Sequence, residues 1–512
     1  MGGAHSCMGR RSIVEIINSL AYGFSVSIQP INILHCFVGV LIGTLVGVLP
    51  GLGPVAAISI LLPMTFHVSS PTSALIMLAG IYYGAQYGGS TTSILVNIPG
   101  EATSVVTCLD GYQMARQGRA GPALGISAFG SFIGGTLAIV GLMLVAPPLA
   151  RFALRFGPPE YCALMFLAFT VLSYIASGSM VNALMMAGLG LLMGSVGMDF
   201  MTGNYRFSHG ILALEDGLGL VPVCMGLFGI SEVLLNVEET ANRQVFESKI
   251  KGIYPTLQDW KDSVKPIGRG TLIGFFLGIL PGAGPLLASF MSYIVEKRVS
   301  NHPERFGKGA IEGVAGPESA NNAGATAAFI PMLTLAIPAT ATMAILLGAM
   351  MMYGVQPGPM LLTKHPEIFW GVVTSMYTGN VMLLLLNLPL IGIWVRVLKI
   401  PYPLLFPLIL LFCLTGAYTI NNTITDVIIM NIFGVVGYIM KKVGFEGGPF
   451  ILAFILGPMF ETTLRQSLMM SHGDFSIFLT RPIPLILVIV AFLVLISPLL
   501  LRKRPKLGAD ET

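Results

Sequence analysis

The chain has 512 residues, 54% hydrophobic and 10% charged, and its 28 basic and 24 acidic side chains leave a net charge of +4. Soluble domains carry about 25% charged residues, and no basic patch here lies outside short loops, so a water-soluble enzyme and a nucleic-acid-binding protein are both excluded. Between Glu15 and Glu101 run 85 residues without Asp, Glu, Lys or Arg; a membrane helix needs roughly 20 apolar residues, so this is an all-α polytopic membrane protein.

From the N-terminus, Met1-Gly2-Gly3-Ala4-His5-Ser6 fits the loose myristoylation pattern. In a chain held by many spans that is a chance match. No compact apolar stretch ending in small residues marks a cleavable signal peptide. Arg10 and Arg11 face the cytoplasm by the positive-inside rule, and Ile13–Ser27 crosses outward. The next segment repeats. Leu41–Pro54, LIGTLVGVLPGLGP, returns as Leu272–Pro285, LIGFFLGILPGAGP, with nine of 14 positions identical. Each copy is an apolar helix broken at Pro-Gly, which exposes backbone groups that lipid does not tolerate unless they face protein or a polar cavity. Matching breaks in two halves are the signature of a secondary transporter. Residues 32–64 are therefore expected as a re-entrant hairpin opening outward, with the uncharged Thr65–Ser73 loop outside. Ala74–Pro99 crosses back to place Arg116 and Arg119 inside. Crossings near 122–149, 159–177, 180–198 and 211–236 complete a first half, residues 1–237.

A polar cytoplasmic linker follows at 238–269, with Pro255–Lys261 as an interfacial amphipathic helix and Trp260 at headgroup depth. The second break has basic loops on both sides, and its arms, Gly270–Leu280 and Leu286–Val295, are about 11 residues each. At 1.5 Å per residue an arm reaches about 16 Å, half of the ~30 Å hydrocarbon core, which predicts a hairpin at 270–295 entered from the cytoplasm. Five crossings separate the two hairpins, and an odd number makes the repeat inverted. The rival reading makes each Pro-Gly segment one broken span. Crossings near 320–353, 368–396, 402–420, 426–441, 447–465 and 482–501 bring the total to about 12. They divide into a second half at 270–445 and C-terminal spans with a basic cytoplasmic tail at 446–512. The architecture expected is an elevator-like or other alternating-access carrier.

Gly51, Gly53, Gly282 and Gly284 let the backbone turn at the breaks, and Pro54 and Pro285 suit the first turn of the resuming helix. Such helix starts attract anions; the plainer reading is a kink in a packed helix. Polar clusters follow each break: Gly88–Ser93 with Asn97, and Pro317–Thr326 with Thr340 and Thr342. Ser90, Thr91, Thr92, Asn97, Ser319, Asn321 and Asn322 are the candidate substrate- and ion-binding residues, with Asn97, Thr340 and Thr342 as candidate Na+ ligands. Small hydroxylated residues also mediate helix packing, and for Ser93 and Thr326 that reading is at least as good. Ionisable groups near membrane depth are Glu312, Glu318, Glu461 and Arg465; the last two are spaced to pair on one helix face. His35 reads as a packed, hydrogen-bonded imidazole, and the six cysteines have no metal or redox spacing. No metal-ligand set and no phosphate-binding loop is present in the sequence. Neither cluster holds Lys or Arg, and a helix start acts as about half a positive charge, so a di- or tricarboxylate needs one or two charges from co-transported Na+ or H+.

GTLVGVLPGLGP (43–54), YGGSTTSILVNIPGEATSVVTCLDGYQMARQGRAG (87–121), GILPGAGP (278–285), GPESANNAGATAAFIPMLTLAIPATATMAILLGAM (316–350) and GVQPGPML (354–361) occur in this order. They resemble the large membrane subunit of the tripartite tricarboxylate transporters, across residues 12 to 501. The resemblance implies a permease of the bacterial inner membrane that takes up small organic anions such as citrate, driven by an ion gradient. It also implies two partners, a small membrane subunit and a periplasmic solute-binding protein, no cofactor beyond the coupling ion, and no enzymatic activity. The competing readings are a channel, a stand-alone carrier, a membrane-embedded enzyme and a proton-translocating respiratory subunit. The last two need a catalytic set or a chain of buried ionisable groups that the charge-free windows do not supply.

Overall fold

The computed structural model describes residues 16–49, 52–175, 179–199, 201–238, 252–280, 284–398, 400 and 402–500. By contact the chain forms two units, Met1–Leu154 with Leu218–Val443, and Arg155–Gly217 with Gly444–Thr512. The larger unit contains α1 (16–27), α2 (Pro30–Val48), α3 (Pro54–Thr65), α4 (Pro71–Val96), α5 (Val105–Arg116) and α6 (Ala120–Ala153). The smaller unit has α7 (Pro158–Ile175), α8 (Met180–Gly194) and a ribbon of β1 (Gly197–Met198) and β2 (Tyr205–Arg206). The chain returns to the larger unit with α9 (Leu220–Glu238), α10 (Leu257–Ile279), α11 (Gly284–Val299), α12 (Glu312–Ala327), α13 (Phe329–Leu335) and α14 (Ala341–Met352). That unit ends with α15 (Pro366–Asn387), α16 (Ile391–Val397), α17 (Tyr402–Asn421) and α18 (Ile424–Lys442), and α19 (Gly447–Met470) and α20 (Pro482–Leu500) complete the smaller one. Among the described residues, seven helices are long and apolar enough to cross a membrane: α2, α6, α9, α15, α17, α18 and α19. The protein is an all-α membrane protein.

Two glycine ladders organise the larger unit. A Cβ on Gly39, Gly43 or Gly47 of α2 would fall 2.3, 2.4 or 2.3 Å from the carbonyl oxygens of Met77, Ile81 and Ala85 on α4. On α10, a Cβ at Gly270, Gly274 or Gly278 would fall 2.2, 2.3 or 2.4 Å from those of Gly316, Ala320 and Gly324 on α12. Glycine at every fourth position lets two membrane helices meet backbone to backbone. In both ladders the numbers rise together, so α2 runs parallel to α4 and α10 parallel to α12.

The long contacts also orient α4 against α12. Gly130 and Gly134 of α6 meet Ala315 and Ser319 of α12, so those two are parallel. Gly371 and Gly379 of α15 meet Thr72 and Tyr83 of α4, so those are parallel too. Between α15 and α6 the order reverses: Asn380 lies at Gly135, and Tyr377 at Met143. It follows that α4 and α12 run in opposite directions. The second broken segment folds back on itself: Ser289 of α11 bonds the Pro317 carbonyl at 3.3 Å, and Pro285 of α11 lies against Gly324. That makes α11 antiparallel to α12 and to α10, and Arg269 of α10 pairs with the buried Glu296 of α11 across the open end (Nε to Oε1 2.8 Å).

Several elements differ from the sequence expectation. The arms of the second break are 23 and 16 residues long. The first begins at Leu257, because a Thr256/Asp259 capping box starts a helix inside the segment expected as linker. The first break is less compact: α3 packs mainly on α9, α14 and α17. The segment 320–353 is not one crossing, since the helix stops at Leu335 and resumes at Ala341 around Pro338. The span expected at 211–236 begins at Leu220, after the β1–β2 ribbon and a turn at Leu212–Leu214. The α4 helix, with 26 residues, is buried almost throughout, so it needs no apolar face toward lipid.

The ladders generate a first test. Gly274→Val should overpack the α10–α12 contact and cost about 1–3 kcal/mol, read as a lowered thermal unfolding midpoint in detergent. Gly268→Val on the same helix, where a Cβ meets nothing within 4 Å, should leave the midpoint unchanged.

Candidate functional site

The functional interest of the larger unit lies where its helices stop and restart. At the end of α4, Asn97 is left-handed (φ 59°, ψ 26°), and Glu101 is extended (φ −143°, ψ 166°) before the turn Ala102–Ser104 and α5. At the end of α13, Ala336 is left-handed (φ 58°, ψ 31°), and Thr340 is extended (φ −141°, ψ 166°) before α14. Both pairs are separated by the same interval, with Ile-Pro between: Asn97-Ile98-Pro99 and Ala336-Ile337-Pro338. The proline removes a donor and ends the helix; the left-handed residue turns the chain out. Across the unit, α11 touches the turn Ala102–Ser104, and α3 touches α14. Four restarting helices are thus brought together by the two halves.

Two buried carboxylates lie among these ends. Glu318, on α12, accepts from Ser90 of α4 at 2.6 Å, from Thr107 of α5, and from Ser131 of α6 at 3.3 Å. Ser131 in turn accepts from the Asn322 amide at 2.7 Å. The second carboxylate, Glu101, accepts from Thr103, whose hydroxyl is also 2.8 Å from Gln86 Oε1. Beside Glu101 lie the Asn321 amide and the Tyr82 hydroxyl, and Tyr82 also approaches Thr340. None of these approaches meets hydrogen-bond geometry. Both polar atoms of Asn321 and the Tyr82 hydroxyl are left without a partner, at 1% and 2% exposure. Among the described residues, neither carboxylate forms an ion pair.

The sequence-predicted residues divide on these contacts. Ser90 and Asn322 belong to the Glu318 network, and Asn321 to the Glu101 group. Thr92 bonds the Val48 carbonyl at 2.7 Å, satisfying the last turn of α2 where it breaks. Ser319 bonds Thr271 at 2.7 Å and the Ile267 carbonyl at 3.0 Å, tying α12 to α10. Thr91 and Thr342 are buried. Asn97 is exposed and acts through its backbone angle, which Ala336 reproduces without an amide. Thr340 caps α14 through the Met343 N–H at 3.2 Å. Gly53 is extended (φ −70°) and needs no special freedom, whereas Gly284 has φ 55° and lies against Thr340. Gly51 and Gly282 lie outside the described residues. His35 bonds the Ile31 carbonyl of its own helix at 2.7 Å, as a packed imidazole does.

Sequence reasoning missed Glu101, and with it Tyr82, Gln86 and Thr103. The available signal was Glu101 itself, the residue that ends the 85-residue uncharged run; a charge at that edge reads as membrane-flanking. It also missed Asp110 of α5. That buried carboxylate accepts the N–H groups of Gly307, Gly309 and Ala310 at 2.9, 2.7 and 2.8 Å and fixes the approach to α12. In the smaller unit, Glu461 and Arg465 do pair (2.6 Å), joined by Asp199 and Arg206. The Thr202 hydroxyl and then the Arg465 guanidinium hold the Asp199 carboxyl below its usual range.

The model of the family described as tripartite tricarboxylate transporter TctA family matches residues 33–452, which include both breaks and every residue of the two carboxylate groups. An Agrobacterium vitis protein printed as "Uncharacterized 52.8 kDa protein in TAR-I ttuC' 3'region" is 48% identical over 502 residues, 98% of this chain and 100% of the relative. A second, "Uncharacterized protein in TAR-II ttuC' 3'region" of the same organism, is 50% identical over 241 residues, 46% of this chain and 100% of the relative. No solved structure matches the chain.

The shared carboxylate gives a second test. Ser90→Ala or Thr107→Val leaves a buried charged acceptor short of one donor, at about 1–3 kcal/mol each. Both act on one group, so the double variant should differ from the sum of the singles by at least about 0.5 kcal/mol, measured as unfolding midpoints. Strict additivity would mean that the two hydroxyls do not act through Glu318.

Proposed function

The chain belongs to the tripartite tricarboxylate transporter TctA family, and from that premise we propose that it is the permease of a binding-protein-dependent uptake system for small di- or tricarboxylates such as citrate. It works by alternating access in the bacterial inner membrane on a Na+ or H+ gradient, together with a small membrane subunit and a periplasmic solute-binding protein. The chain itself performs no enzymatic reaction.

The observation that carries this reading is the doubled break. Each half supplies a glycine-laddered helix that stops at Pro-Gly, and a second helix that stops at Ile-Pro with the same pair of backbone conformations 239 positions apart (336 minus 97, and 340 minus 101). The opposite directions of α4 and α12 support an inverted repeat. Inverted repeats of this kind hold substrate and coupling ion at discontinuous helices near the middle of the membrane. Ser90, Thr91, Thr92, Asn97, Gly51, Gly53, Gly282, Gly284, Ser319, Asn321 and Asn322 remain the residues assigned to substrate and ion, with Thr340 and Thr342. Within that set, Thr92, Asn97 and Ser319 serve chiefly to hold the backbone.

Charge favours a carrier over a channel. The anion enters a region that already holds two carboxylates, so its binding requires co-bound cations, and a stoichiometric complex of anion with cations is what a symporter moves. In proteoliposomes supplied with the binding protein and the small subunit, citrate uptake should collapse without a Na+ or H+ gradient. Uptake indifferent to both would overturn the coupled reading. The inversion has its own check: a cysteine at Ser70, before α4, should label from the periplasm and one at Ser300, after α11, from the cytoplasm. Labelling of both from one side would rule it out.

A further inference from the structure

Tyr82 and Asn321 stand at equivalent places, 239 apart, on the antiparallel helices α4 and α12 (321 minus 82). Glu101 and Thr340 are equivalent by the same interval and by backbone angle. Their contacts cross over: Asn321 approaches Glu101, and Tyr82 approaches Thr340 as well as Glu101. The four side chains therefore surround the point about which the two halves are exchanged. All the oxygens there belong to a carboxylate, an amide and two hydroxyls, and Asn321 and Tyr82 are buried without partners.

We infer that Glu101, Asn321, Tyr82 and Thr340 form a binding site for one sodium ion. The inference rests on reading the chain as an ion-coupled carrier and names where that ion sits. A buried polar atom left unpaired costs about 1–3 kcal/mol, so Asn321 and Tyr82 are unlike satisfied core residues; a cation that accepts several oxygen ligands at once satisfies both. A proton on Glu101 would neutralise its charge but leave the Asn321 carbonyl oxygen and amide where they are. One carboxylate balances one positive charge, which fits a monovalent ion; hard divalent ions bind through oxygen sets richer in carboxylate or with bound phosphate. Thr103 and Gln86 flank Glu101 from the other side, with Thr103 donating to the carboxylate and fixing its position. Glu318 is the contrast. Three hydroxyls already point at it, and it is a satisfied group rather than an open one.

The test is binding of radioactive 22Na+ to the purified full-length chain in detergent, without substrate or binding protein. Wild type should bind in a saturable manner, displaced by unlabelled Na+ and not by K+ or choline. Glu101→Gln should raise the half-displacing Na+ concentration at least tenfold, and Asn321→Ala, which keeps the carboxylate, at least threefold. Glu304→Gln, an exposed surface change, should have no effect. Should Glu101→Gln fail to purify as a single species, Asn321→Ala and Tyr82→Phe carry the test. Wild-type affinity in Glu101→Gln and in Asn321→Ala would overturn the site, as would absence of displaceable 22Na+ binding to wild type. Na+-driven citrate uptake with unaltered 22Na+ affinity in the variants would keep the transport reading and remove this site. Binding lost in the variants, with no carboxylate uptake by wild type, would do the reverse.

Discussion

The larger unit depends on backbone-to-backbone contact along its two glycine ladders. With glycine at every fourth position, α2 and α10 press onto α4 and α12 so closely that no side chain fits between them. Two consequences follow. The helices cannot slide past one another without opening that contact, so the ends of α2 and α10 are fixed relative to the polar runs of α4 and α12. Those ends are also where the chain breaks, and Thr92 of α4 reaches the last carbonyl of α2 because the ladder brings it there. Small residues thus position a polar break inside an apolar protein, which neither propensity nor hydrophobic burial achieves alone.

Charge is the second constraint. Burying a carboxylate without a cation is expensive, and the fold meets that cost differently for Glu318 and Glu101. Glu318 is surrounded by hydroxyl donors from α4, α5 and α6, four helices joined at one side chain. It works as a clasp, and it also sets a negative potential in the region the anion must enter. Glu101 has a closer link to the restarting helix, since it caps the turn Ala102–Ser104, and it has unsatisfied neighbours. A negative interior excludes an anion that arrives alone and admits one that arrives with cations, so coupling follows from the absence of buried basic residues.

Much of this was legible in the sequence, for physical reasons that vary by residue. The all-α membrane class followed from charge-free windows, and the breaks from Pro-Gly repeated at equal intervals. Ser90, Asn321 and Asn322 were found because amides and hydroxyls in an apolar run need an explanation. The second pair of breaks was hidden, since Ile-Pro inside a hydrophobic stretch resembles a tolerated kink, and the left-handed turn at Ala336 has no glycine to announce it. Glu101 was hidden by its position at the edge of a window. Asn97 was read as a ligand because of its amide, whereas its place in the chain is set by its backbone angle; Asn is one of the few residues that adopts that region readily. Arm lengths at the second break were misjudged because Lys265 and Arg269 looked like a boundary, although a capping box eight or more residues earlier had already started the helix.

Comparing equivalent positions separates scaffold from chemistry. Where the halves agree, as at Gly43 and Gly274, or at the backbone of Asn97 and Ala336, the residue builds a contact or a turn. Where they differ, as at Glu101 and Thr340 or Tyr82 and Asn321, the backbone is the same and only the side-chain chemistry has changed. A carrier that alternates between two related states needs a scaffold whose two arrangements are close in energy, and repeated backbone contacts provide that. A ligand site that lies where the halves are exchanged keeps the same neighbours in both states, so its ion need not be released by the change of state itself. Release then depends on what else is bound. An ion held by one carboxylate whose charge is also felt by the incoming anion is retained while the anion is present and weakened when it leaves, and that dependence links the two movements.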